Sequence, residues 1–166
     1  MSTPAYKVML LGQIGVGKSS IVQRLVFDRF ETSYKPTIGV DVYRYEAEAD
    51  DRPVPMIVWD SDGNLGDAMF RHVYLKEASA ALIVGDITRQ DTIGSMPAIA
   101  AAFRTRLPGR SVSFLVNKTD LWDGHAPLDA ELARDGELVF RTSALTGDNV
   151  KRAFAETAKA IVRRTA

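Results

Sequence analysis

A lysine and a serine placed directly after a run of glycines can hold a polyphosphate. The stretch GQIGVGKS, Gly12 to Ser19, has that composition at the spacing G-x-x-x-x-G-K-S. Glycines let the backbone curl until successive N–H groups and a helix amino terminus aim at one anion. Lys18 adds positive charge at the terminal phosphates, and the Ser19 hydroxyl is a hard oxygen donor suited to Mg²⁺. Gly15, Val16, Gly17, Lys18, Ser19 and Ser20 are the expected phosphate-binding residues. Such a cradle does not name a base.

The base is named by NKTD, Asn117 to Asp120, which closes an apolar run. A carboxylate at Asp120 can accept two parallel hydrogen bonds from the ring N–H and exocyclic amine of guanine, and adenine offers no such pair. Lys118 can lay its apolar stem along the purine, and Asn117 is expected to tie this loop to the phosphate loop. The small-residue loop TSALTGDNV, Thr142 to Val150, leads into the last helical pattern. Its backbone N–H at Ala144 can donate to the guanine oxygen, with Ser143 and Leu145 beside it in the base-binding set. Asp120 in this setting disfavours an ATP-using kinase or ATPase.

These residues need a frame that brings them together. YKVMLLG (6–12), SAALIVGD (79–86) and the start of SVSFLVNKTD (111–120) are near-continuous apolar runs, the pattern of strands buried on both faces of a parallel sheet. Between them Ile21, Val22, Leu25 and Val26 recur at helical spacing, as do Met96, Ala100, Phe103 and Leu107, and then Val150, Phe154, Ala158 and Ile161. The alternation implies right-handed crossovers and an α/β sheet that binds ligands at its carboxyl ends. One segment departs from it. Val40 to Ala49 and Val54 to Trp59 are extended runs flanking the turn-rich DDRP, which predicts a hairpin and one antiparallel edge strand.

The chain of 166 residues shows no internal repeat and no long linker, so one domain over 1–166 is expected. Lys plus Arg and Asp plus Glu both number 21, so no net field favours nucleic acid. The absence of cysteine removes disulfides, thiolate metal sites and thiol catalysis. No run approaches a membrane span or a secretory core, so a cytoplasmic location is expected. His72 and His125 stand without ligand-spaced partners and read as surface residues. Trp59 reads as core or a partner-facing platform, and Trp122 as a cover for the base loop or an exposed residue.

Taken in order, GQIGVGKS, FETSYKPTIGV, WDSDG, GDITRQDT, NKTD and TSAL resemble the motifs of a small Ras-superfamily GTPase, nearest the Rab and Ras branches, from Tyr6 to Ile161. The resemblance implies a P-loop NTPase G domain: a six-stranded, mostly parallel sheet with one antiparallel edge strand and helices on both faces. It implies GTP/GDP and Mg²⁺ as cofactors, with Phe30 packing on the guanine and Tyr34 covering the phosphates. Thr37 would complete the Mg²⁺ coordination begun by Ser19, Asp60 would hold the metal through water, and Gly63 would donate its N–H to the γ-phosphate. Effector, exchange factor or activator proteins would read the two switch segments. Relatives commonly end in a prenylated cysteine tail. This chain stops at Ala166 without cysteine, so either a tail has been removed or no lipid anchor exists, and none is expected in this chain.

The second switch departs from the resemblance. The usual W-D-T-A-G-Q-E reads here Trp59, Asp60, Ser61, Asp62, Gly63, Asn64, Leu65. The glutamine that orients the attacking water is replaced by Asn64, one methylene shorter, which is left as a weak catalytic substitute. Asp62 adds a carboxylate near the expected γ-phosphate. Ile14 stands in the phosphate loop where a partner's arginine would enter. The expected function is a guanine-nucleotide switch with weak or altered hydrolysis, a slow GTPase. The alternative is a nucleotide-stabilised interaction module without useful turnover.

Overall fold

Apolar side chains on successive residues must find cover on both faces of a strand, and the central strands do so. The computed structural model describes residues 4–31, 40–61, 75–124, 132–133 and 137–165. Strands β1 (Tyr6–Leu11), β2 (Val40–Ala49), β3 (Arg52–Ser61), β4 (Ala78–Asp86), β5 (Ser111–Asn117) and β6 (Leu138–Arg141) form a six-stranded sheet in the order β2-β3-β1-β4-β5-β6. The β2–β3 pair is antiparallel and every other pair is parallel.

In β1, Val8 and Leu10 point into one core with β3, helix α1 (Lys18–Phe27) and helix α4 (Val150–Thr165). Met9 and Leu11 point into another, with helices α2 (Gln90–Gly94) and α3 (Met96–Arg106). Helices therefore cover both faces, the layering that parallel strands need. The helical periods match burial: Val150, Ala153, Phe154, Thr157, Ala158 and Ile161 are the buried stripe of α4. Leu107, expected inside α3, instead caps it.

The predicted hairpin is present and tighter than the DDRP turn implied. Asp50 and Asp51 both take positive φ, at 51° and 63°, and Ala49 pairs directly with Arg52. Two consecutive residues in that conformation match the right-handed twist of the strands they join. β3 tolerates Pro53 and Pro55 because both precede Met56, where pairing with β1 begins near Tyr6. β6 and α2 were not among the elements expected from periodicity. Among the described residues, no helix is long and apolar enough to cross a membrane.

A candidate nucleotide site at the carboxyl ends of the strands

The loop after β1 turns back against β4 and β5, and glycine permits that approach. Gly12 has φ 143° and a Cβ there would strike the carbonyl oxygen of Val84; Gly17 has φ 104° and a Cβ there would strike the amide of Asn117. Val16 anchors the loop in the core beneath.

Every carbonyl from Gly12 to Gly17 accepts a hydrogen bond. Lys18 Nζ donates to Gly12 O at 2.8 Å and to Gln13 O at 2.9 Å. Arg89 Nη1 donates to Ile14 O at 2.9 Å, Lys118 Nζ to Gly15 O at 2.8 Å and Asn117 Nδ2 to Val16 O at 3.0 Å. The backbone N–H of Ile21 donates to Gly17 O at 2.9 Å and begins α1, whose first turn carries Lys18, Ser19 and Ser20. Among the described residues no peptide bond is cis, so a carbonyl held by a donor leaves the N–H of the same peptide facing the opposite way. The arrangement can present a row of N–H groups to one anion.

Asn117 ends β5, beside Asp86 in the strand register, and Lys118 and Asp120 follow it. Thr142 Oγ1 donates to Asn117 Oδ1 at 2.9 Å, so one buried amide joins the phosphate loop, the NKTD loop and the loop after β6. Asp120 is exposed, and one of its oxygens accepts from Ser143 Oγ at 2.7 Å, which orients the carboxylate. Ser143 and Ala144 are buried, and Leu145 is exposed. Arg24 donates to Ala144 O at 2.9 Å and Leu145 O at 2.7 Å, bracing this loop from α1. Phe30 lies half-buried against the core on the α1 side. Trp122 is half-buried with the Arg141 guanidinium 4.5 Å from its ring centre, and Trp59 is covered by Lys7 Nζ at 3.8 Å.

Ser19 Oγ donates to Asp60 Oδ2 at 2.5 Å, which brings together two hard oxygen donors from α1 and the end of β3. That pair fits Mg²⁺, which takes one or two protein oxygens and completes its shell with phosphate and water. No group of three or more His, Cys, Asp or Glu converges among the described residues. Tyr34, Thr37, Asp62, Gly63, Asn64, His72 and His125 lie outside the described residues.

Sequence reasoning missed Asp86. It is 1% exposed, pairs with Lys118 Nζ at 2.9 Å and accepts from Thr88 N and Oγ1 at 2.8 and 2.7 Å. Burial alone pushes its carboxyl up, but the bonds from Thr88 and Lys118 outweigh burial and hold it below its ordinary value. A carboxyl whose folded pKa lies below its unfolded value adds stability above the unfolded value and loses it as pH falls toward the folded one. The urea midpoint is therefore expected to fall as pH drops below about 4. Asp86→Asn, which cannot ionise, should flatten part of that fall. An equal acid slope in both proteins would show that Asp86 is not a contributor.

A sequence profile of the Ras family matches residues 7–163. Ras-related protein RABA5b of Arabidopsis thaliana is 36% identical over 154 residues, covering 90% of this chain and 71% of that protein. The profile spans the sheet, the phosphate loop and the NKTD and TSAL loops together, and the chain belongs to the Ras family of small GTP-binding switch proteins.

Proposed function

We propose that this protein is a guanine-nucleotide switch that binds GTP and GDP with Mg²⁺ and hydrolyses GTP slowly. The observation that carries the reading is the buried Asn117 amide, which links a phosphate loop with pinned carbonyls to the loop bearing Asp120. Gly15, Val16, Gly17, Lys18, Ser19 and Ser20 bind the phosphates; Asp120, Lys118 and the Ser143–Leu145 loop, with Phe30, bind the guanine. Ser19 and Asp60, with Thr37, would hold Mg²⁺, which would neutralise charge on the nucleotide phosphates. Tyr34 and Gly63 belong to the two nucleotide-reading switches.

Slow hydrolysis rests on Asn64 in place of the water-orienting glutamine and on Ile14. Ile14 is 40% exposed on the loop, and the chain's own Arg89 already holds its carbonyl, so a partner's arginine meets an occupied rim. Phe27 is exposed at the end of α1 and packs edge-on against Tyr43 of the edge strand β2, a surface suited to the proteins that read a switch. A protein that binds nucleotide and does not turn it over would show the same affinities, and only hydrolysis separates the two.

Base choice is tested by competing ATP and GTP against a fluorescent GDP in saturating Mg²⁺. GTP should win by at least about 10³-fold, because adenine leaves the Asp120 carboxylate desolvated without its two donors. Equal competition by ATP would defeat the guanine reading.

A further inference from the structure

We propose that Arg89 is a positioning residue for nucleotide phosphates: by holding the carbonyl of Ile14, it aims the N–H of Gly15 into the phosphate cradle. The inference rests on the nucleotide reading above and adds a residue outside the phosphate-loop and base-loop motifs.

Of the carbonyls between Gly12 and Gly17, those of Gly12, Gln13, Gly15 and Val16 are held by Lys18, Lys118 and Asn117, all motif residues, and that of Gly17 by the first turn of α1. Only the Ile14 carbonyl is held from elsewhere, by Arg89 Nη1 at 2.9 Å. The Ile14–Gly15 peptide is trans, so its N–H points away from the guanidinium that holds the carbonyl. Gly15 has φ 78°, a region open to glycine, so the residue's own backbone preference does not fix this peptide's orientation. A donor on its carbonyl removes that freedom.

The brace itself is anchored. Arg89 N donates to Asp86 O at 2.9 Å, and the Arg89 carbonyl accepts from Thr92 N at 3.0 Å and Thr92 Oγ1 at 2.6 Å. Thr92 is 1% exposed and also bonds the Asp86 backbone. Asp86, the last residue of β4, presents its carboxylate to Lys118, so the end of β4 and the turn after it steady both cations that bond the loop at Ile14 and Gly15. A Cβ on Gly15 would stand 3.2 Å from Arg89 Nη1, which places the guanidinium flush against the loop.

The test uses the full chain with Mg²⁺ and GDP. Arg89→Ala should weaken GDP about tenfold, the loss of one hydrogen bond's net contribution, and Arg89→Lys, which keeps a donor, should restore most of it. In ³¹P spectra of bound GDP, the phosphorus resonances should shift in Arg89→Ala and return in Arg89→Lys, while the guanine imino proton held by Asp120 keeps its position. Affinity should fall with ionic strength at the same slope in parent and Arg89→Ala, because a positioning group adds no charge contact with the phosphate. Unchanged GDP affinity and phosphorus shifts in Arg89→Ala would overturn the proposal, and so would a steeper salt slope in the parent, the mark of direct ion pairing. A parent that binds no GDP would overturn the nucleotide reading and this proposal with it, a result distinct from either.

Discussion

Asp120→Asn is expected to weaken GDP binding by about 10²–10³-fold, since a carboxylate accepting two hydrogen bonds loses its charge and one of its acceptors. Ser143 Oγ now bonds one Asp120 oxygen at 2.7 Å, and an amide oxygen can accept that bond equally, so the loop should keep its shape. The effect falls on the ligand. Xanthine carries a carbonyl where guanine carries its exocyclic amine, and the new amide N–H₂ can donate to it. Xanthosine diphosphate should therefore gain affinity in the variant while guanosine diphosphate loses it. Competition against a fluorescent diphosphate reads both. Unaltered GDP affinity would show that Asp120 does not touch the base.

What could be read from the sequence follows the physics of each element. Strands β1, β4 and β5 were legible because both faces are covered, which forces continuous apolar runs such as Leu82, Ile83 and Val84. β6 was not, because Leu138–Arg141 is four residues long and lies at the sheet edge with Leu138 exposed. Helix α2 was missed for another reason. Its five residues are set by Thr92, whose hydroxyl and N–H close the turn on Asp86 and Arg89, and no apolar period marks such a bond.

At the site, Lys18, Ser19, Asn117 and Asp120 were legible because their spacing follows from a loop–helix junction and a strand end. Arg89 and Asp86 were not, because their roles arise only when β4 is laid beside β1 and β5. Arg89 and Ile14 are 75 residues apart in sequence. The expectations for Tyr34, Thr37, Gly63 and Asn64 rest on the family motifs and on membership of the Ras family.

The second large effect is on hydrolysis. On the proposed reading, the Asn64 amide, one methylene short, would misplace the water it should align, and a misplacement of about 1 Å reduces a rate by roughly 10²-fold. On the same reading Ile14 would compound this by obstructing the arginine that a partner would insert, a contribution worth roughly 10³–10⁵-fold when available. Ile14→Gly combined with Asn64→Gln should raise single-turnover hydrolysis by about 10–10²-fold without a partner. Asn64→Gln should carry most of that gain, and Ile14→Gly alone should do little until an activator is added. Because both groups act on one transition state, the double variant with an activator should exceed the sum of the single changes. Bonding of Arg89 to the Ile14 backbone oxygen survives loss of the side chain, so nucleotide affinity should hold within a few-fold in these variants. A double variant no faster than the parent, with or without activator, would show that these positions do not limit the chemistry.

The most direct test of the central claim is the fate of GTP on the unaltered protein: load it from an equimolar mixture of GTP and ATP, add Mg²⁺, and quantify the bound nucleotides over time by chromatography. The account predicts that guanine nucleotide is retained, adenine nucleotide is not, and bound GTP becomes GDP more slowly than about 10⁻⁴ s⁻¹. Retention of ATP alongside GTP, or conversion at or above about 10⁻² s⁻¹, the pace of a switch protein carrying its own catalytic arginine, would contradict it.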